Sequence, residues 1–390
     1  MKTVFCTNGM LSKTLAVTRS LGRQGNRIVV GEKIRFHTSG FSKFCSKNIL
    51  YPDPQKEPEN FYKWLRELLR NEKVDVFLPM DDDTMEIAVR NQEELREHCA
   101  LPVPPLDSYL IASDKGETIR LAKQAGIPHP QTLELMFQGE VNLHDLQVQT
   151  AHLTYPLVIK PRKSSGSRGV RIVNNQEELL QIYPGIHRTY PNPLLQEYIP
   201  FGPKFDICLL YDSIHRLTGS FVQKQIRNYP IERGPSTVHE SIEYPEALRY
   251  AVQLMENLPW YGVVDVEFML DPRNGELKLM EINPRFWSSV HLAIRCGVDF
   301  PTLLYRHALC LDTEPVLKYK TGVQGRALLP GDLLHYMSNK DRHQMSPSFW
   351  NFSLPDDTLS AEDPMPTIGF FAAALRYVFD LNTWRFIVRR

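Results

Sequence analysis

Two apolar runs, GVVDVEFML and ELKLMEINP, flank the turn DPRNG across residues 262–284, and polar side chains interrupt them at odd positions. Side chains alternate along a strand, so Asp265 and Glu267 share one face of the first run, and Glu281, Asn283 and Arg285 share one face of the second. If DPRNG is a five-residue loop, position 270 pairs with 276, Asp265 stands opposite Glu281, and Glu267 lies diagonally nearby. Carboxylates stacked this way repel one another unless a cation joins them. Hard oxygen donors from Glu267, Glu281 and Asn283 suit Mg2+, with Mn2+ as a substitute. Arg285 then meets the negative charge that remains. A solvated sheet face also carries Glu, Asn and Arg, but a strand running into Asn-Pro-Arg-Phe-Trp is no ordinary solvated edge.

A second hairpin is written in LVIKPRKSSGSRGVRIV, residues 157–173. A Walker loop places its lysine after the glycines and before a helix. Here Lys160 precedes them and VRIV alternates as a strand, so that reading is excluded. The tip, with Ser164, Ser165, Gly166, Ser167 and Gly169, stands between two readings: an ordinary turn, or a set of backbone amides able to wrap phosphate oxygens.

The first hundred residues follow a different rhythm, TVFCT, LSKTLAVTRSLGRQG, RIVVGE, FYKWLRELLRN, DVFLPM, in which strands alternate with helices. This βαβ order predicts a parallel sheet covered on both faces, a Rossmann-like layer without a GxGxxG fingerprint. Asp81, Asp82 and Asp83 follow a strand and open a helix, where they complement its dipole or reach a ligand. LPVPPLDSYL marks a boundary, and SDKGETIRLAKQAGIPHP reads as a helix closed by Gly126 and Pro128. From Tyr155 to Glu281 the strands become hairpins, which predicts α+β with antiparallel sheets; beyond about Leu311 the pattern turns irregular.

Lys plus Arg equals Asp plus Glu at 45 each, so overall charge advertises neither nucleic acid nor an anionic membrane. An anionic ligand must be met by a local cluster. Six scattered cysteines without a CxxC pair read as reduced thiols, and MKTVFCTNG enters a strand too early for a signal-peptide core. Both predict a cytoplasmic protein. The run IGFFAAALRYVF is interrupted by Arg376 and falls short of the about 20 residues a bilayer needs. Its helix, continued through DLNTWRFIVRR, packs on the core or on a second subunit in preference to a membrane interface, and a homodimer is one assembly this allows.

In their order, LVIKPRKSSGSRGV, LLQEYI, GVVDVEFML and LMEINPRFW resemble the ATP-grasp superfamily, to which biotin carboxylase, the large subunit of carbamoyl phosphate synthetase and D-alanine:D-alanine ligase belong. The resemblance covers roughly residues 1 to 310. It implies a pre-ATP-grasp layer at 1–104, an ATP-grasp domain at 105–312 with a small subdomain at 105–199 and a large one at 200–312, and a partly helical extension at 313–390. It further implies that Lys160 and Lys115 contact nucleotide phosphates, that 164–169 is a flap over the triphosphate, and that Glu197, Tyr198 and Ile199 hold adenine. Lys204 or Asp206 would approach the ribose, and Glu267, Glu281 and Asn283 would hold Mg2+. Arg285 would stabilise the reacting phosphate and acyl phosphate; Lys224, Arg227, Ser236 and Thr237 are implied as substrate or phosphate contacts.

The function expected from this resemblance is an ATP- and Mg2+-dependent ligase that activates a small carboxylate as an acyl phosphate and joins it to an amine. Phosphoryl transfer of this kind needs positioning and charge neutralisation rather than a covalent nucleophile. The alternatives are a kinase or carboxylase-like enzyme acting on a small acceptor or bicarbonate, and a non-catalytic nucleotide-binding subunit.

Overall fold

The computed structural model describes residues 1–164, 166–232 and 234–378, the last three without side chains. The first layer contains β1 (Thr3–Cys6), α1 (Ser12–Arg23), β2 (Arg27–Glu32), β3 (Cys45–Leu50), α2 (Pro58–Asn71), β4 (Val76–Leu78) and α3 (Asp82–Arg90). Its four strands pair in parallel in the order β3-β2-β1-β4, as the βαβ rhythm requires. The short helices α4 (Gln92–Arg96) and α5 (Leu106–Ser113) follow, separated by the proline-rich segment.

Next come α6 (Lys115–Gln124), β5 (Thr132–Glu134), α7 (Leu143–Thr150), β6 (Leu157–Lys160), β7 (Arg171–Val173), α8 (Gln176–Thr189) and β8 (Leu194–Glu197). Asp114 caps α6, its carboxylate accepting from the amides of Gly116 and Glu117, which fixes Lys115 at the first helical position. The four strands form an antiparallel sheet ordered β5-β8-β6-β7. The tip between β6 and β7 is tight: Gly166, Ser167 and Gly169 all have positive φ, and a Cβ on Gly169 would lie 2.6 Å from the Tyr190 ring.

The largest sheet is built from β9 (Lys204–Tyr211), β10 (Leu217–Asn228), β11 (Ser236–Ser241), β12 (Gly262–Leu270) and β13 (Leu277–Asn283), with α9 (Pro245–Met255), α10 (Val290–Cys296) and α11 (Phe300–Ala308) packed around it. A further strand, β14 (Gln324–Arg326), comes from the carboxyl-terminal extension and completes the order β13-β12-β9-β10-β11-β14. One apolar core joins α1, β1, β2 and β4 to α10, α11 and one face of this sheet; another fills the opposite face under α6 and α9. The extension continues through α12 (Leu333–Ser338) to α13 (Met365–Val378).

Helix α13 seats Gly369 against Phe41 and buries Ala373, while Ile368, Phe371 and Leu375 stay exposed. The expected continuation of this helix through DLNTWRFIVRR lies outside the described residues. Among the described residues no helix is long and apolar enough to cross a membrane. All six cysteines are free.

The β12–β13 register differs from expectation. Leu270 pairs with Leu277, and a bulge at Met280 then brings Glu267 directly opposite Glu281 and Asp265 opposite Asn283. The turn closes through the Asp271 amide and the Glu276 carbonyl, and the extra residue in the second strand shifts every later pair. The bulge also explains why Leu279 is buried in the core while Glu281, two residues on, faces the other way.

Candidate active site

A cavity of about 450 Å3 is lined by the second and third sheets, by the start of α1 and by Asp81, a size typical of small-ligand sites. On its floor, strands β9, β12 and β13 set Asp206, Glu267, Glu281, Asp265 and Asn283 side by side. Asp206 is buried and accepts from Gln223 Nε2 at 2.7 Å and Gln225 Nε2 at 2.6 Å. Burial and the neighbouring Glu267 push its carboxyl up to about 7. Asp265 accepts from Asn283 Nδ2 at 3.2 Å, yet burial, Asp206 and Glu267 still hold it well above the usual carboxylate range.

Glu281 behaves oppositely. Burial alone would raise it, but the Lys115 and Lys160 ammonium groups bring it down to about 2. Lys115 Nζ lies 3.3 Å from Glu281 Oε2 and donates at 2.7 Å to the Ser164 carbonyl, tying the β6–β7 tip to the floor. Lys160 Nζ donates to the Met280 carbonyl at 3.1 Å. Burial lowers Lys160 to about 8, with Glu281 opposing the shift and Lys115 adding to it. Lys204 Nζ lies 3.7 Å from Glu267 Oε1.

At the other end, the guanidinium of Arg285 reaches across to the first layer, its Nε donating to Asp82 Oδ1 at 2.6 Å with Asp81 Oδ1 at 3.3 Å. Asp81 also accepts from Lys13 Nζ at 2.7 Å, and Lys13 donates to the Phe286 carbonyl at 3.2 Å. Burial would raise Asp81, but Lys13 and Arg285 hold it down at about 2. Asp82 and Asp83 do open α3, so the dipole reading holds and the contact with the site comes on top of it.

The cavity therefore gathers Lys115, Lys160, Ser164, Gly166 and Ser167, the strand end Glu197, Tyr198 and Ile199, and Lys204, Asp206, Glu267, Glu281, Asn283 and Arg285. Ser236 lines it as well. Glu197 is held from the side by Lys278 Nζ at 3.2 Å. Ser165 lies outside the described residues. Gly169 shapes the turn without lining the cavity.

Three expectations fail. Lys224 is exposed on the opposite face of β10, because strand alternation turns Gln223 and Gln225 inward instead. Arg227 is buried away from the cavity and binds Asp332 through two nitrogens, Nε to Oδ1 at 2.8 Å and Nη2 to Oδ2 at 3.0 Å. Thr237 is buried on β11 and does not line the cavity either. The residues missed were Gln223, Gln225 and Lys13. The period-two pattern of FVQKQ against KFDI could have found the glutamines, whereas Lys13 sits in an ordinary helical pattern that signals nothing.

Residues 112–289 match the family model of the ATP-grasp domain. The match places an ATP-grasp domain within this chain. It is similar to a 3-methyl-D-ornithine–L-lysine ligase of Methanosarcina acetivorans, 28% identical over 260 residues, which cover 65% of this chain and 60% of that protein. The chain thus spans less than two thirds of that relative's length. In three dimensions it resembles the biotin carboxylase of Campylobacter jejuni, with a TM-score of 0.67 at 14% identity, covering 83% of this chain and 74% of that one. The biotin carboxylase domain of the Hydrogenobacter thermophilus 2-oxoglutarate carboxylase gives a TM-score of 0.66 at 16% identity, covering 83% and 73%. At such identities the ATP-grasp fold is what is shared.

Proposed function

We propose that this ATP-grasp protein is an ATP- and Mg2+-dependent, ADP-forming ligase that activates a small carboxylate as an acyl phosphate and joins it to an amine. The observation that carries the reading is the pairing of Glu267 with Glu281 on the cavity floor, between Lys115 and Lys160 on one side and Arg285 on the other. The lysine-ligase relative supports the amide-forming direction. The H. thermophilus domain was solved with MgADP and bicarbonate, which supports the nucleotide and metal. The three-part division at 104/105 and 312/313 belongs to the same proposal, with β14 of the extension joining the large subdomain's sheet.

The donor set fits Mg2+. Every candidate is a hard oxygen, and Asp206 and Asp265 are raised above the usual carboxylate range by burial first and by the neighbouring carboxylates second. Glu267, Glu281 and Asn283 would hold the ion, which when bound neutralises phosphate charge. Lys160 and Lys115 bind and orient the phosphates, and the 164–169 tip closes over them and excludes water from the acyl phosphate. Glu197, Tyr198 and Ile199 hold the base, and Lys204 or Asp206 approaches the ribose. Arg285 stands where the transferred phosphoryl and the carboxylate meet, oriented by Asp82. No side chain serves as a nucleophile.

The test is ADP release by the full chain over a matrix of small acids and amines, with mass detection of product. Amine-dependent ADP release with an amide product is expected. Amine-independent ADP release would replace the ligase by a kinase or carboxylase-like enzyme, and nucleotide binding without turnover across the matrix would refute catalysis.

Lys160 also sets a pH dependence. Its folded pKa lies below the ordinary lysine value, at about 8, so the charged form that meets phosphate is lost as pH rises through that point. The ratio kcat/KM for ATP, which reports on the free enzyme, is expected to fall on an alkaline limb near that value. In Lys160→Arg the limb should disappear, and a limb unchanged by that substitution would assign it to another group.

A further inference from the structure

Away from the cavity, three buried side chains from distant parts of the sequence converge: His239 on β11, His291 on α10, and Asp357 in the carboxyl-terminal extension. One ligand atom from each lies within 4.8 Å of the other two. His239 is fully buried, Asp357 is 3% exposed and His291 9%. None of the four ring nitrogens, nor Asp357 Oδ1, has a hydrogen-bond partner among the described residues. His291 Nε2 approaches Asp357 Oδ1 to 2.6 Å, but the pair does not make a well-formed hydrogen bond. Buried polar atoms are nearly always satisfied, so five unsatisfied ones at one point need an explanation.

The surroundings sharpen the anomaly. Asp356, next in the chain, is satisfied by the amides of Leu328, Thr358 and Leu359. Arg19 fixes the backbone on either side of the site, donating to the carbonyls of Asp357, Thr358 and Asp363, and spends none of its donors on the Asp357 carboxylate. Gly325 of β14 closes the remaining side: a Cβ there would stand 3.1 Å from His239 Nε2 and 3.2 Å from His291 Nε2. Both imidazole Nε2 atoms therefore face one small space beside the carboxylate, and the residue over them, Gly325, carries no side chain.

We propose that His239, His291 and Asp357 bind a divalent first-row transition metal of the zinc class, which staples the carboxyl-terminal extension to the ATP-grasp sheet. Two imidazoles and a carboxylate form a common zinc ligand set, and the nitrogen donors select against Mg2+. Metal–ligand distances of about 2.0–2.2 Å put tetrahedral donors roughly 3.4 Å apart, and the observed separations of 2.6 and up to 4.8 Å bracket that spacing. None of the three lines the cavity, so this site is separate from the oxygen-donor floor.

The full chain, purified without chelators and dialysed, is expected to carry zinc close to stoichiometry by elemental analysis. Chelator-stripped protein should show a lower thermal midpoint that Zn2+ restores and Mg2+ does not, a readout that needs no variant and no substrate. His291→Gln should lose the zinc, whereas Glu281→Gln should keep it. Trace metal content together with a midpoint insensitive to Zn2+ would overturn the proposal and leave an uncoordinated histidine–aspartate cluster. Zinc retained in both His239→Gln and His291→Gln would overturn it equally.

Discussion

Glu281→Gln is expected to lower ATP turnover by roughly 100- to 1000-fold, the usual consequence of removing one preorganised electrostatic group from a reaction centre. Glu281 does two jobs. It supplies one of the two facing carboxylates proposed for Mg2+, and it is the counter-charge that keeps Lys160 from falling further than its present value of about 8. The amide keeps the shape and loses both, so Lys160 should titrate at lower pH and the alkaline limb of kcat/KM should move down with it. Stopped-time ADP release across pH, with a thermal midpoint as a check on folding, separates this from simple unfolding. Turnover equal to that of the unsubstituted protein, with the limb in its original place, would remove Glu281 from the reaction.

Arg227→Met is expected to destabilise the protein by about 3–5 kcal/mol, because breaking a buried ion pair from one side strands the other charge. The side chains of Arg227 and Asp332 are 4% and 0% exposed, so water cannot replace the lost partner. Arg326, at 3.5 Å from Asp332, takes up some of the charge and sets the loss toward the lower end. Turnover per folded molecule should be retained, since Arg227 lies outside the cavity. Arg227→Met combined with Asp332→Leu should recover much of the stability, as a well-packed apolar pair removes the stranded charge. A midpoint of denaturation unchanged by Arg227→Met, together with a collapse of turnover, would return Arg227 to the reaction.

Much of the fold was legible because its evidence is local. Strand–helix alternation predicted the parallel layer, and the two hairpins at 157–173 and 262–284 were readable from apolar runs flanking turns. The site was legible in part for the same reason: Glu267, Glu281, Asn283 and Arg285 sit at alternating positions of two strands, and alternation alone turns them to one face. Lys224 and Arg227 were misread because an exposed basic loop and a strand carrying two basic residues look alike in one dimension. Only the pairing of Gln223 with Asp206 decides which face of β10 points inward.

The chemistry of the floor, its oxygen donors, its two lysines and its arginine, was thus determined by the sequence, because residue identity and a period of two need no long-range information. The tertiary structure alone decided the register, since one extra residue in the turn and another at Met280 together move Glu267 from diagonal to directly opposite Glu281. It alone brought Asp82 to Arg285, 203 positions away, and Asp332 to Arg227, 105 positions away. It alone gathered His239, His291 and Asp357 at one point. The physical reason is common to all four. Local propensity specifies an element and its faces, but ladder defects and contacts between distant elements are chosen by packing, in which charges that must be buried find whichever partner the assembled layers bring within reach.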